Sequence, residues 1–425
     1  MRSREGGTCS KASSQGRKLM RNRVKLWISA FFYYSGLITL LRWWRELSGP
    51  CLIILYYHRA DGENLRKQWL YLRRHYRILP LEGALEELYG VSNDASGGGH
   101  YKVSDLPEMA SGGVETEGTR KGPRIRSHPP LPLQTNKHAS LQHKTGRRVG
   151  RPTGDRRIPL VITFDDGYYD NYTHAFPLAC QLQIPITIFL IPGYIDCENS
   201  FWWADRLIRR AQVNQVAFEG YTYRLGQQEE RKALAQIIND RVCKSSSLNE
   251  REKLLNFFCE LLAVPSSAIP EEPAPLLNWT QVREMEKSGW VSFGAHTIHH
   301  ADLACLTDPG EVQGEVGVCR TLLERELEHS VDTFAYPHGH IGDHGLSAVK
   351  QSGYKWAVTI LPGFNTQRSN PYLLHRMNAD ADRHVAIVAA ETSGVWHFFT
   401  RLRQGLIVRA GELRKDNIFD DNVYR

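Results

Sequence analysis

Short apolar runs that stop abruptly at charged or imidazole side chains constrain this chain more than any other feature. Leu52-Ile53-Ile54-Leu55-Tyr56-Tyr57 stops at His58, and Pro159-Leu160-Val161-Ile162-Thr163-Phe164 stops at Asp165-Asp166-Gly167. The Trp290–Ala295 run stops at His296. Runs this short, without polar alternation, read as buried strands. Further strands are expected near Tyr76–Leu81 and over Ile184–Leu190, Thr333–Tyr336 and Trp356–Ile360. Helical stretches lie between them, at Leu81–Tyr89, 172–182, 280–288, 310–328 and 344–352, with 200–265 helical and charged throughout. Alternating strands and helices predict a parallel α/β architecture, with working residues at the carboxyl ends of the strands.

The 425 residues are enough for one large α/β domain with additions. The net charge of +7 hints at nucleic acid until it is located. Residues 1–25 carry eight Lys or Arg against Glu5, and residues 120–157 carry eleven against Asp155. With those +17 charges set aside, the remainder is at −10. The basicity therefore belongs to a tail and an insert. No helix-turn-helix, RNP or finger pattern accompanies it, so no nucleic-acid partner is expected. Eight cysteines without a CxxC exclude a disulfide scaffold and a zinc ribbon, and fit a reducing compartment.

Three segments stand apart from the body. Residues 1–49 are a basic tail followed by an aromatic-rich apolar helix, Leu26–Leu41. That stretch is short of the roughly 20 residues a bilayer span needs, and no cleavage site for a removable signal follows it. Its Trp and Tyr beside basic residues suit a helix lying on an anionic membrane surface; a packed first helix and a spanning anchor are the other readings. Cytoplasmic or membrane-associated localisation is expected. Residues 91–157, rich in Gly, Ser, Pro and Arg, read as a disordered basic insert. Residues 396–425 read as a C-terminal helical extension to a catalytic domain spanning 50–395.

The chemistry sits at three strand ends. Adjacent carboxylates at Asp165 and Asp166 repel and lose hydration unless a cation or proton resolves the charge. One could ligate a metal while the other serves as base. His296 and His300, four apart, put two imidazoles on one face of a helical turn. With one carboxylate they make a two-His, one-Asp set that leaves positions open for water or substrate. In Phe334-Ala335-Tyr336-Pro337-His338-Gly339-His340, Pro and Gly would fix a backbone amide able to hold an oxyanion. Singly, each piece is also explained as a turn, a cap or a surface pair.

Together they resemble the polysaccharide deacetylases, the NodB-homology family or carbohydrate esterase family 4. Val161-Ile162-Thr163-Phe164-Asp165-Asp166-Gly167 looks like the first family motif and His296-Thr297-x-x-His300 like the second. Phe334-Ala335-Tyr336-Pro337-His338-Gly339 looks like a variant of the third. The opening Leu55-Tyr56-Tyr57-His58-Arg59 is similar to the strand that often starts bacterial members. The order and spacing match over about 50–385, apart from the insert and a helical addition near 205–275.

The resemblance implies an irregular (β/α) barrel with fewer than eight units. It implies Asp165 as general base, and Asp166, His296 and His300 as ligands of a divalent metal, commonly Zn2+. The Tyr336 amide would bind the oxyanion. The substrate would be an N-acetylated polysaccharide or oligosaccharide, such as an exopolysaccharide or cell-surface glycan, and the products a free amine and acetate. Where the third motif often carries an Arg that orients the base, this chain has Ala335; Arg376, from a later strand, would take that role. His375 is similar to a late His that protonates the leaving amine, and His338 and His340 are rival acids. Tyr168, Tyr169, Asp170 and His58 line a groove in one reading and serve packing or capping in the other. Alternatives are an acetyl-xylan esterase, a peptidoglycan or chitin-oligomer deacetylase, a catalytically weak glycan-binding homologue, and a membrane-bound scaffold.

Overall fold

A computed structural model describes residues 20, 23–90, 155–196, 204–264, 276–396 and 399. All of them fall in one compact unit, residues 1–91 and 151–425; a second unit, 92–150, lies outside the described residues. The expected insert therefore lies outside them up to residue 154, as does nearly all of the expected extension 396–425. Residues 155–157 belong to the folded body instead: Arg157 donates to the Arg73 carbonyl at 2.9 Å and pairs with Asp155 at 2.7 Å.

In chain order the elements are helices α1 (Arg23–Tyr34) and α2 (Leu37–Leu47), strand β1 (Ile53–Tyr57), α3 (Leu65–His75), β2 (Arg77–Ile78), α4 (Leu81–Tyr89) and β3 (Pro159–Phe164). A π-helical turn, Asn171–Ala175, leads into α5 (Phe176–Leu182), followed by β4 (Ile186–Leu190), α6 (Ala204–Arg209), β5 (Gln215–Phe218) and β6 (Tyr221–Arg224). Then come α7 (Gln228–Cys243), α8 (Leu248–Leu261), α9 (Trp279–Lys287), β7 (Val291–Ala295) and α10 (Pro309–Leu327). The chain ends on β8 (Thr333–Ala335), α11 (Gly342–Gln351), β9 (Trp356–Val358), β10 (Met377–Asn378) and α12 (Val385–Thr392).

The main sheet runs β10-β1-β3-β4-β7-β8-β9, every pair parallel, with β2 added against the start of β3. The segment 374–378 joins its two edges. Leu374 bridges to Val358 of β9, and three residues on Met377 pairs with Leu55 of β1. The sheet thus curls into an irregular (β/α) barrel, as expected. Alternate strand residues face opposite sides. Ile53, Leu55, Ile162 and Ile188 pack outward with helix residues such as Trp69, Met285 and Val316. Ile54, Val161, Phe189, Ala335, Val358 and Leu374 pack inward, together with Leu81, Leu85 and Leu88 of α4. At Gly294 a Cβ would fall 2.6 Å from both the Phe189 ring and Thr333 Oγ1, so only glycine lets that ring lie inside.

The region read as wholly helical holds the β5–β6 hairpin, which is a correction. Its turn is Glu219-Gly220, both at positive φ (50° and 76°), the backbone a two-residue hairpin turn requires. With α6, α7 and α8 it encloses a small core of its own around Leu234, Ile238 and Phe258, which includes Ile191 and Tyr194 just past β4. The N-terminal apolar stretch is also corrected, from one helix to two. Gly36 takes φ 76° and the pair bends by 80°. Its inner side packs Ile38 with Ala389, Ala390 and Val395. Among the described residues the six cysteines are free.

Candidate metal centre and active site

Every expected metal donor lies at the carboxyl end of a strand and is buried. After β3 the backbone turns sharply, with Asp166 at φ 71° and Gly167 at φ 69°. The residues between the two histidines are not a helical turn, contrary to the spacing argument: Thr297 and His300 take φ 63° and 55°. The imidazoles converge all the same. Asp166 Oδ1 lies 3.6 Å from His296 Nε2 and 3.4 Å from His300 Nε2. One donor atom from each of the three residues falls within 4.8 Å of the others. Left-handed backbone in non-glycine residues is uncommon and costs energy, so three such residues here mark a site the surrounding fold holds in place.

The electrostatics favour a cation between them. His296 Nδ1 lies 2.8 Å from the Ala335 carbonyl. A carbonyl only accepts, so Nδ1 carries the proton and Nε2 presents its lone pair to the centre. Burial lowers the His296 pKa to about 4 and that of His300 well below its ordinary value, so both rings are neutral. Burial, with the neighbouring Asp165 charge, raises Asp166 to about 6 against the opposing charge of His58. Asp166 Oδ1 is buried without a hydrogen-bond partner. An acceptor facing the His296 lone pair is repelled by it unless a cation lies between them, and His300 Nε2 stands close enough to share that cation. The residues present therefore fit a divalent ion of the kind bound by imidazole and carboxylate.

Asp165 has a different setting. Burial pushes its carboxyl up, but the Arg376 charge and its hydrogen bonds outweigh this and hold it below the ordinary range. Arg376 is fully buried and donates to Asp165 Oδ1 at 2.7 Å and Oδ2 at 2.9 Å. Its Nε–H donates to the Thr359 carbonyl at 2.8 Å, and the guanidinium lies over the rings of Tyr56 (4.7 Å) and Phe189 (5.5 Å). The Arg376 expected to approach the base is thus placed against it.

Two expectations fail on geometry. The Tyr336 amide donates to the Val358 carbonyl at 3.2 Å and its ring packs among the outward-facing residues, so that N–H belongs to the sheet and is not free for an oxyanion. His375, next to Arg376, turns the other way. A Cβ added to Gly363 would lie 2.9 Å from its ring, and its amide is bound by Asn365 Oδ1 at 2.8 Å. Among the three rival acids, the imidazole that adjoins the expected metal donors is His338, whose ring is 4.7 Å from that of His300 and whose Nε2 is buried without a hydrogen-bond partner. His340 pairs instead with Asp302 at 2.7 Å, which raises the His340 pKa. Asp170 is bound to Arg59 and Asn171, and the Tyr169 ring lies tilted beside that of Tyr172, 6.4 Å between centroids.

Tyr168, read from sequence as a groove or packing residue, hydrogen-bonds the Asp166 carboxyl. One contributor was not singled out from sequence. Glu315, buried in α10, accepts from the Ile298 amide (3.1 Å), the His299 amide (3.0 Å) and His299 Nδ1 (2.6 Å). It thereby holds the turn that separates the two ligand histidines. Its signal was present: a carboxylate on the buried stripe Val312, Val316, Cys319, Leu323, where apolar residues alone are the rule.

Residues 153–357 match the model of a family described as polysaccharide deacetylase. A Bacillus subtilis (strain 168) protein named "Putative polysaccharide deacetylase YxkH" is 23% identical over 218 residues, 51% of this chain. The chain spans about half the length of that relative, 50%. Among solved structures, the Streptococcus pyogenes deacetylase PplD covers 80% of this chain and 97% of its own, at 15% identity and a TM-score of 0.43. IcaB from Ammonifex degensii covers 81% and 98%, at 16% identity and 0.45. Those TM-scores are too low to bear on the assignment, which rests on the family match and on the motifs it covers, Asp165-Asp166, His296-Thr297-x-x-His300 and Tyr336-Pro337. The domain at residues 153–357 is a member of the polysaccharide deacetylase family.

Proposed function

We propose that the body 50–395 is a metal-dependent hydrolase that removes N-acetyl groups from N-acetylhexosamine residues of a polysaccharide, an exopolysaccharide or cell-surface glycan. The observation that carries this reading is the pairing of two unlike carboxylates at one strand end. Asp166 faces His296 and His300 with an unpartnered oxygen, while Asp165 is held ionised by Arg376.

Zinc is one ion such a nitrogen and oxygen set holds, and once held by Asp166, His296 and His300 it would polarise the N-acetyl carbonyl and make bound water more acidic. The remaining work falls to the chain itself. Asp165, a carboxylate with Arg376 on both oxygens, accepts a proton from the attacking water. Arg376 fixes the plane of that buried carboxylate and keeps it anionic. Attack forms the new carbon–oxygen bond at the N-acetyl carbonyl carbon and gives a tetrahedral oxyanion; as this collapses the carbon–nitrogen bond breaks, and the departing nitrogen takes a proton. We assign that proton to His338, whose ring lies 4.7 Å from that of His300, although burial lowers its pKa. The products are the hexosamine amine and acetate.

The test is acetate release from an N-acetylglucosamine oligomer series and from an acetylated xylan, before and after chelation and after zinc is restored. Release from the oligomers that is lost with the chelator and recovered with zinc is the expected result. Release from the xylan alone would replace the amide substrate with an ester.

A further inference from the structure

We propose that the outward faces of α1 and α2 dock the protein on an anionic membrane surface, lying in the interface without crossing it. This rests on observations separate from the deacetylase reading. Both helices are fixed to the body by their inner sides. Ser29, Ile38 and Arg42 are buried, and Lys25 pairs with Glu391 at 2.6 Å. The opposite sides carry large apolar residues in the open. Trp27, Phe31 and Tyr34 recur four and three apart on α1; Leu40, Trp44 and Leu47 recur four and three apart on α2. All six are exposed, Trp27 at 75% and Tyr34 at 74%. Scattered apolar residues need no explanation, but two helical stripes dominated by aromatics on elements already packed elsewhere do.

The occupant follows from ring chemistry, shape and charge. Trp and Tyr, apolar with one polar edge, favour the boundary between acyl chain and headgroup. Among the described residues no single helix is long and apolar enough to cross a membrane; α1 and α2 reach that length only as a pair, and an 80° bend at Gly36 interrupts it as a straight span. Residues 1–25 run directly into α1 and carry eight Lys or Arg against one Glu. Apolar insertion together with a polybasic segment is the two-signal combination that gives stable attachment to anionic lipid. The same positive charge opposes a second copy meeting this face through its own tail.

The experiment is co-sedimentation of the full chain with vesicles of phosphatidylcholine alone and with about a quarter phosphatidylglycerol. Two variants are compared with the parent: the exposed triple W27S/F31S/W44S and the tail triple R17Q/K18Q/R21Q. Binding to the anionic vesicles only, weakened about tenfold by either triple and by added salt while the melting temperature holds, is the expected result. Failure of the folded parent to bind anionic vesicles overturns the proposal. So does parent-like binding by the aromatic triple, which would assign attachment to the tail alone. A lipid-free oligomer that the aromatic triple dissociates, seen by light scattering, would give the face to a second copy and likewise overturn it.

Discussion

Arg376 grips both carboxylate oxygens of Asp165, at 2.7 and 2.9 Å, from inside a barrel that leaves neither residue in contact with solvent. The pair joins the strand that closes the barrel to the strand that carries the first motif. It also separates the chemistry of two adjacent aspartates, since Asp165 has its cation built in while Asp166 lacks one. That division yields opposite expectations for the two residues.

Asp165→Asn should leave zinc bound at about one ion per chain and reduce kcat by about 10²–10⁴-fold, the range a positioned general base supplies. Asp166→Asn or His296→Ala should lose the ion. Metal content after dialysis, measured beside turnover, separates the cases. Near-full activity in Asp165→Asn would remove it from the role of base.

Arg376→Met should cost more than activity. It leaves a buried carboxylate without its partner, a loss of about 3–5 kcal/mol in stability, alongside the loss of turnover. Arg376→Lys keeps the charge but not the two-pronged grip, so it should recover part of the stability and little of the rate. Denaturant midpoints and kcat for the two variants report this split.

Glu315→Gln keeps an oxygen for the Ile298 and His299 amides but loses the charge that pairs with His299. Removing support behind a ligand typically weakens metal binding about 10–100-fold. Glu315→Ala should fall at the weaker end of that range and Glu315→Gln at the stronger. A competitive chelator titration reads the affinity directly, and the ordering of the two variants distinguishes positioning of the turn from general loss of stability.

His329 Nε2 lies 2.6 Å from Glu286 Oε1, and that hydrogen bond raises the His329 pKa to about 9 from an ordinary 6.5. A raised histidine adds stability that is full below the unfolded value and vanishes as pH climbs through the folded one. The pair is half exposed, so screening reduces its worth to about 0.5 kcal/mol. The stability gap between the parent and His329→Gln should therefore be present at pH 6 and gone by about pH 10. A gap that persists unchanged at high pH would contradict it.

The framework was legible because buried parallel strands are written as unbroken apolar runs, and because Asp165, Asp166, His296 and His300 each follow one directly. What escaped sequence reading depends on direction rather than composition. His375 and Arg376 are neighbours, and only the alternation along the closing segment decides that the arginine enters the barrel while the histidine leaves it. The Tyr336 amide is ordinary in sequence, and its engagement by Val358 depends on strand register. The β5–β6 hairpin hid among charged helices because its turn is Glu-Gly, a weaker signal than Asn-Gly. Gly36 lay within the apolar stretch, yet a glycine alone does not reveal an 80° bend. Glu315 could have been found from the buried stripe it interrupts.

Closing the barrel with residues 374–378 has a consequence for the order in which this protein becomes competent. Asp166, His296 and His300 stand on β3 and β7, which are separated in the sheet by β4 alone, and all three precede residue 301. The guanidinium that holds Asp165 arrives about 75 residues later, at Arg376, on the segment that joins the two open edges. During synthesis Asp166, His296 and His300 therefore leave the ribosome before Arg376 does. Closing of the barrel and anchoring of Asp165 are one event, since both wait for residues 374–378.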